Sequence, residues 1–127
     1  MATRMRLEGP VVETRDLLIY RVLARDQPAL VDLVVSVLNP LARARGGAGP
    51  LVETLATYFD CGCVATVAAA ELHLSVRAVT YRLDRVKTLS GFDPADPAHR
   101  FTLQAAVLGA RLLGWPDSPL PRPPDGS

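Results

Sequence analysis

Five side chains within nine positions, Arg77, Thr80, Tyr81, Arg82 and Arg85, carry the clearest chemistry in the chain. A guanidinium presents a planar fork of donors that matches a phosphate or the edge of a guanine, and the hydroxyls of Thr and Tyr can bond phosphate oxygens. This is recognition chemistry, not bond-making chemistry. It requires the side chains to stand on one side of a rigid rod. Val76, Val79, Leu83 and Val86 recur at three- and four-residue steps, which places them on one face of a helix. With that face turned inward, Arg77, Tyr81, Asp84, Arg85 and Thr88 fall on the opposite face, and Ala78, Thr80 and Arg82 at its margins.

The residues before this helix complete a recognisable unit. Val64 to Leu72 reads as a short helix rich in small residues, and Ala65, Ala68, Ala69 and Ala70 suit a close crossing of two helices. His73-Leu74-Ser75 is the turn, with His73 in a place often held by a small residue or Gly, and Ser75 is a good N-cap for the next helix. The second helix is expected from Val76 to about Leu89, with Ser90-Gly91 as its stop. A short helix, a tight turn and a second, more polar helix make up the helix-turn-helix unit, whose second helix enters the DNA major groove. Ser75, Arg77, Ala78, Thr80, Tyr81, Arg82 and Arg85 are therefore the candidate DNA-binding residues. Arg77, near the helix N-terminus, is placed to read bases; Tyr81 is expected exposed, with its hydroxyl on a phosphate. Arg85 is a phosphate contact or a partner of Tyr81, and Arg82 packs its stem while reaching a phosphate. Asp84 either opposes DNA or pairs with Thr80, Arg77 or Thr88.

The composition agrees in part. The chain has 127 residues, enough for one domain with a core; 49% are hydrophobic but only 6% aromatic, so Ala, Val and Leu dominate. That suits packed helices. The net charge of +1 announces no global affinity for nucleic acid, and the local placement decides. Between Arg77 and Lys87 lie four basic residues and one acid, a local charge of +3. No apolar run is long enough to span a membrane, and the first residues lead into no signal-type apolar core.

The rest of the chain reads as further helices. The first ten residues carry no period. A helix is expected from about Val12 to Arg25. Asp26 then caps a second, with Pro28 in its first turn and Leu30, Leu33, Val34, Val37 and Leu38 as its apolar face. Asn39-Pro40 closes it, and Ala42 to Gly49 reads as a loop. A third helix starts at Gly49-Pro50 and runs to Phe59 or Asp60, with Leu51, Leu55, Tyr58 and Phe59 inward. Asp96 and Pro97 open a last helix, to Leu113, with Phe101, Ala105, Leu108 and Leu112 as its stripe, widened by Leu103, Val107 and Leu113; Gly114 ends it. The expected fold is all-α, five to six helices with a helix-turn-helix. Residues 1–49 form an N-terminal helical region for dimerisation or sensor docking, 50–115 the DNA-binding domain, and 116–127 a disordered proline-rich tail.

Three stretches, LVETLATYFD (51–60), VATVAAAELHLSVRAVTYRLDRVKTLSG (64–91) and DPADPAHRFTLQAAVLGARLL (93–113), resemble the C-terminal DNA-binding domain of PucR-type transcriptional regulators, also seen in sugar-diacid regulators. The run AVTYRLDRV, then L-S-G, then an R-F-x-L-Q helix carries most of the resemblance. It implies an all-helical domain similar to the DNA-binding half of the nucleoid protein Fis, acting as a dimer or higher oligomer and usually ending a longer protein with an upstream sensing region. By position it implies Val76 to Leu89 as recognition helix, with Arg77, Thr80, Tyr81, Arg82 and Arg85 on DNA. The chain departs from the family where many members carry Arg-Asn-Thr and it has Val76-Arg77-Ala78, where they carry a basic residue and it has Asp84, and where a Gly-Asn-rich turn is common and it has Cys61-Gly62-Cys63.

Other chemistry finds little footing. Cys61-x-Cys63 with His73 and His99 lacks the spacing of a structural zinc site, and the two thiols read as small, partly buried side chains of a reducing cytoplasm. His99 is expected to face solvent. No Ser/His/Asp set, phosphate loop or carboxylate pair indicates an enzyme, a cofactor or a metal. The reading is a cytoplasmic, non-enzymatic DNA-binding regulator: its partner is double-stranded DNA and it forms a homodimer; it is either a fragment of a longer protein with an upstream sensor domain or a stand-alone short regulator. The alternative is a helical module without DNA binding that serves oligomerisation or partner docking.

Overall fold

The computed structural model describes residues 25–120 together with Leu18 and Arg21, and among them all regular structure is helical. Helix α1 spans Gln27–Val37. Its N-terminus is closed by Asp26, whose carboxylate accepts from the Ala29 amide at 3.1 Å, with proline in the first turn. A 3₁₀ segment, Asn39–Arg43, follows. Then come α2 (Gly49–Asp60), α3 (Ala65–Leu72), α4 (Val76–Ser90) and α5 (Pro97–Leu113). Helix α5 opens on Asp96, which accepts from the Ala98 amide at 2.9 Å, and closes at Gly114, φ +72°.

The core is built from all of these elements. Val34 and Val37 of α1, Leu38 and Leu41 after it, Leu51 and Leu55 of α2, Val86 of α4 and Leu103, Ala106 and Val107 of α5 form one cluster. A smaller cluster joins Tyr58, Ala68, Ala69 and Val79 under the helix-turn-helix, and Leu83 and Phe59 bridge the two. Helix α1 lies on α5 and packs closely against Gly109. A β-carbon there would stand 2.9 Å from Leu30 Cδ1 and 3.3 Å from Val34 Cγ2. Arg111 reaches from the end of α5 to Asp60 at 3.1 Å and ties it to the end of α2.

The structure corrects several expectations. Of the stripe Phe101, Ala105, Leu108 and Leu112, Phe101 is 70% and Leu112 40% exposed and Ala105 and Leu108 are half-buried; Leu103 and Val107, expected only to widen it, are buried together with Ala106, Gly109 and Ala110. Helix α5 carries two apolar rows on opposite sides, and α1 selects the one whose small residues permit close approach. Val31 is buried, whereas Leu33 is only half-buried. Asn39-Pro40, expected to close the helix, instead opens the 3₁₀ turn, which takes in only Ala42 and Arg43 of the expected loop, and Leu41 is fully buried. Val34, Leu38 and Leu41 share one core with Leu55 and Leu103. Ser118 donates to the Gly114 carbonyl at 2.7 Å, and Trp115 and Leu120 pack against the core. The expected helix from Val12 to Arg25 and the end of the tail, 121–127, lie outside the described residues; Leu18, Arg21 and Arg25 are helical and exposed.

Gly109→Val is expected to lower stability by about 1–3 kcal/mol through overpacking against Leu30 and Val34. Urea denaturation checks this, and an unchanged midpoint would show that α1 is not held closely on α5.

Candidate nucleic-acid interface

The site begins with the way α3 ends. His73 adopts the left-handed conformation, φ +57° and ψ +41°. The amide of Leu74 reaches back to the Ala69 carbonyl at 2.9 Å and that of His73 to Ala70 at 3.3 Å. These two bonds satisfy carbonyls that the helix end would leave unpaired, and they turn the chain sharply. Only Leu74 then separates His73 from Ser75. Ser75 is extended, and its hydroxyl accepts from the Ala78 amide at 3.0 Å. A left-handed stop and a serine start, two residues apart, fix the angle between α3 and α4. Ala68 and Ala69 are buried at the crossing against Val79, while Ala65 is half-buried and Ala70, expected at the crossing, is exposed.

Helix α4 turns inward on Val79 and Val86, both fully buried. Arg77, Thr80, Tyr81, Asp84 and Thr88 are exposed, and Tyr81 is 63% so. Arg85 and Ala78 are half-buried at the flank. Ser75 is exposed, with its oxygen engaged in the cap. Val76, expected on the inward face, is 43% exposed, because as the first residue of the helix it lies beyond the crossing with α3. Among the described residues Asp84 forms no ion pair, and Lys87 stands 3.7 Å from Asp93.

Arg82 takes a course the sequence did not disclose. It is half-buried, and its Nη1 donates to the Thr54 hydroxyl on α2 at 3.1 Å, with the Pro50 carbonyl at 3.5 Å. Thr54 is fully buried, and its hydroxyl donates in turn to Pro50 at 2.8 Å. A threonine beside Leu51 and Leu55 in an otherwise apolar row was the signal, since a buried hydroxyl needs a partner. His99, expected to face solvent, is half-buried: its Nδ1 accepts from the Asp93 amide at 2.9 Å and its ring meets Phe92 edge-on. It braces the turn that leads from α4 into α5.

Among the described residues no three of His, Cys, Asp and Glu gather into a group that could hold a metal ion. Cys61 and Cys63 are free, and burial, with the carboxylates of Glu71 and Asp60, pushes the Cys61 thiol up and away from thiolate character. Among the described residues, no helix is long and apolar enough to cross a membrane.

Comparison with known proteins places these elements. Residues 51–108 match the PucR C-terminal helix-turn-helix domain. Uncharacterized proteins of Mycobacterium bovis and of two Mycobacterium tuberculosis strains are 38% identical to the chain over 102 residues, which is 80% of this chain and 24% of theirs. The chain thus spans about a quarter of the length of these curated relatives.

His73 is the one residue of the turn whose backbone is unfavourable for its type. Replacing it with glycine is expected to raise stability by about 0.5–1 kcal/mol, because glycine adopts the left-handed region without a β-carbon penalty. The thermal midpoint checks this; a drop would show that the imidazole itself holds the turn.

Proposed function

Residues 51–108 are a helix-turn-helix domain of the PucR C-terminal type, and from that premise we propose that the chain is the sequence-specific DNA-binding module of a transcription regulator. The observation that carries this reading is the outward row of α4, Arg77, Thr80 and Tyr81, presented just beyond the Ser75 cap and the left-handed turn at His73. In this reading α4 lies in the major groove. Arg77, in the first turn, reads base edges, preferably the paired acceptors of guanine. Thr80, Tyr81 and Arg85 bond phosphates and set the register, and Ser75 and Ala78 line the approach to the groove.

One recognition helix buries little area, so the active unit is a homodimer on a palindromic site with half-sites about one helical turn apart. The helices before Gly49 supply the dimer contact or the surface on which an upstream sensor docks. The greater length of the relatives supports a sensor-bearing protein, and such a regulator works in the bacterial cytoplasm, where its DNA is. A second reading is a helical module without DNA binding that serves oligomerisation or partner docking. The exposed apolar row through Phe101 and Leu112 favours it.

Fluorescence anisotropy on duplexes selected from a random library, at low and moderate salt, decides between the two. Salt-sensitive binding with a preferred sequence is expected. Arg77→Ala should weaken the preferred duplex by about 1–3 kcal/mol and relax the preference at one base pair. Folded protein that binds no duplex at low salt would refute DNA recognition and leave the docking module.

A further inference from the structure

Resting on that DNA-binding reading, we infer that Arg82 is a positioning residue, not a DNA contact: with the buried Thr54 it forms a clamp that sets the roll of the recognition helix on the body of the domain.

The inference starts from how little holds α4 in rotation. Its two fully buried side chains, Val79 and Val86, lie seven residues apart. At 3.6 residues per turn they project within about 20° of each other, so they form a narrow seam. A helix seated on a narrow seam resists translation well and roll poorly. Two residues stand on either side of the seam. Leu83 lies about 40° to one side, and Arg82 about 60° to the other. Leu83 is half-buried between the two hydrophobic clusters, a non-directional contact. Of these two, Arg82 supplies the directional bonds, through Nη1 to Thr54 Oγ1 at 3.1 Å and more loosely to the Pro50 carbonyl at 3.5 Å.

The receiving end is rigid. Thr54 is fully buried in the middle of α2, and its own hydroxyl proton is committed to the Pro50 carbonyl at 2.8 Å. Its oxygen is therefore oriented to accept, and a guanidinium is the donor it receives. Charge-assisted bonds of this kind are stronger than neutral ones, and planar guanidinium geometry fixes direction. Helix α2 is itself packed into the main core through Leu51 and Leu55 and tied to α5 by Asp60 and Arg111. The clamp thus refers the angle of α4 to a helix seated in the main core. Recognition side chains must be held within about 10–20° of their productive orientation to be useful. A roll of α4 would carry Arg77 and Tyr81 sideways across the groove together.

Thr54 makes the test discriminating, since it is buried and cannot itself touch DNA. Thr54→Val removes the acceptor and keeps the shape; Thr54→Ser keeps the hydroxyl. The experiment measures affinity for the selected duplex and its dependence on salt for wild type, Thr54→Val, Thr54→Ser, Arg82→Gln and the Thr54→Val/Arg82→Gln double variant, each shown to be folded by circular dichroism. The expected result is a loss of about tenfold in specific affinity for both Thr54→Val and Arg82→Gln, with no further loss in the double variant. The salt slope stays at the wild-type value, and Thr54→Ser restores binding. If Thr54→Val binds like wild type while Arg82→Gln lowers the salt slope by about one, Arg82 is a phosphate contact and the inference is overturned. If the wild type binds no duplex, the functional reading fails separately. The clamp is then read without DNA, from melting temperatures: losses smaller in the double variant than the sum of the singles support it, and additive losses refute it.

Discussion

Two valines a heptad apart decide which way the arginines of the domain point. Val79 and Val86 are fully buried, one in the small cluster under the helix-turn-helix and one in the main core, so α4 spans both and can be inserted in only one orientation. Exposing that seam to water would forfeit about 1.5–3 kcal/mol per side chain, which no arrangement of the outer polar residues could offset. Everything on the far side of the helix follows from this burial. Arg77, Tyr81 and Thr88 are exposed because they are half a turn away from the seam, not because anything outside the protein holds them there.

The seam works only because α3 can come close. Ala68 and Ala69 sit against Val79, and a bulkier pair would lift α3 and widen the angle at the turn. That angle is closed by backbone geometry that few residues favour. His73 and Cys63 both hold positive φ, at +57° and +64°, at the two ends of α3. Non-glycine residues in this region cost energy locally and persist when the surroundings over-determine them. Here the surroundings are the hydrogen bonds that end α2 and α3: the Cys63 amide closes on the Tyr58 carbonyl at 2.8 Å, and the Leu74 amide on that of Ala69 at 2.9 Å. Both turns set where α3 lies, and through α3 the exposed end of α4.

Much of this was legible in the residues. The cap residues Asp26, Ser75 and Asp96 and the stop residues Gly91 and Gly114 fall where their chemistry requires, so the helix boundaries follow from short-range rules. Most of the outward set on α4, Arg77, Thr80, Tyr81, Asp84 and Thr88, follows from periodicity, while Val76 and Arg85 depart from it. Helix α5 defeated the same reasoning: with apolar residues on both sides, periodicity offers two stripes, and only the close packing of α1 at Gly109 chooses between them. The partners of Arg82 and His99 were likewise beyond reach. A pattern within one helix places a side chain at a margin, but whether it turns to solvent or to a buried threonine depends on residues 28 positions away in the first case. Long-range hydrogen bonds have no local signature, except for a polar residue standing in an apolar row, as Thr54 does.

The disposition of charge bears on how such a domain could hold DNA. The chain carries a net charge of only +1. On α4 the basic residues do different work: Lys87 lies 3.7 Å from Asp93, and the Arg82 guanidinium is turned toward Thr54. Arg77 and Arg85 remain to meet an anionic partner, with Asp84 beside them. Each phosphate neutralised contributes about 0.9 to the salt slope, so on the proposed reading these two arginines of α4 would add only a shallow slope. On the proposed reading this has a consequence for design. A domain poor in phosphate contacts cannot rely on general attraction to the duplex and then refine it. Its affinity has to come from correctly oriented base contacts and from the joining of two copies, which makes the roll of α4 matter more here than it would on a strongly basic helix.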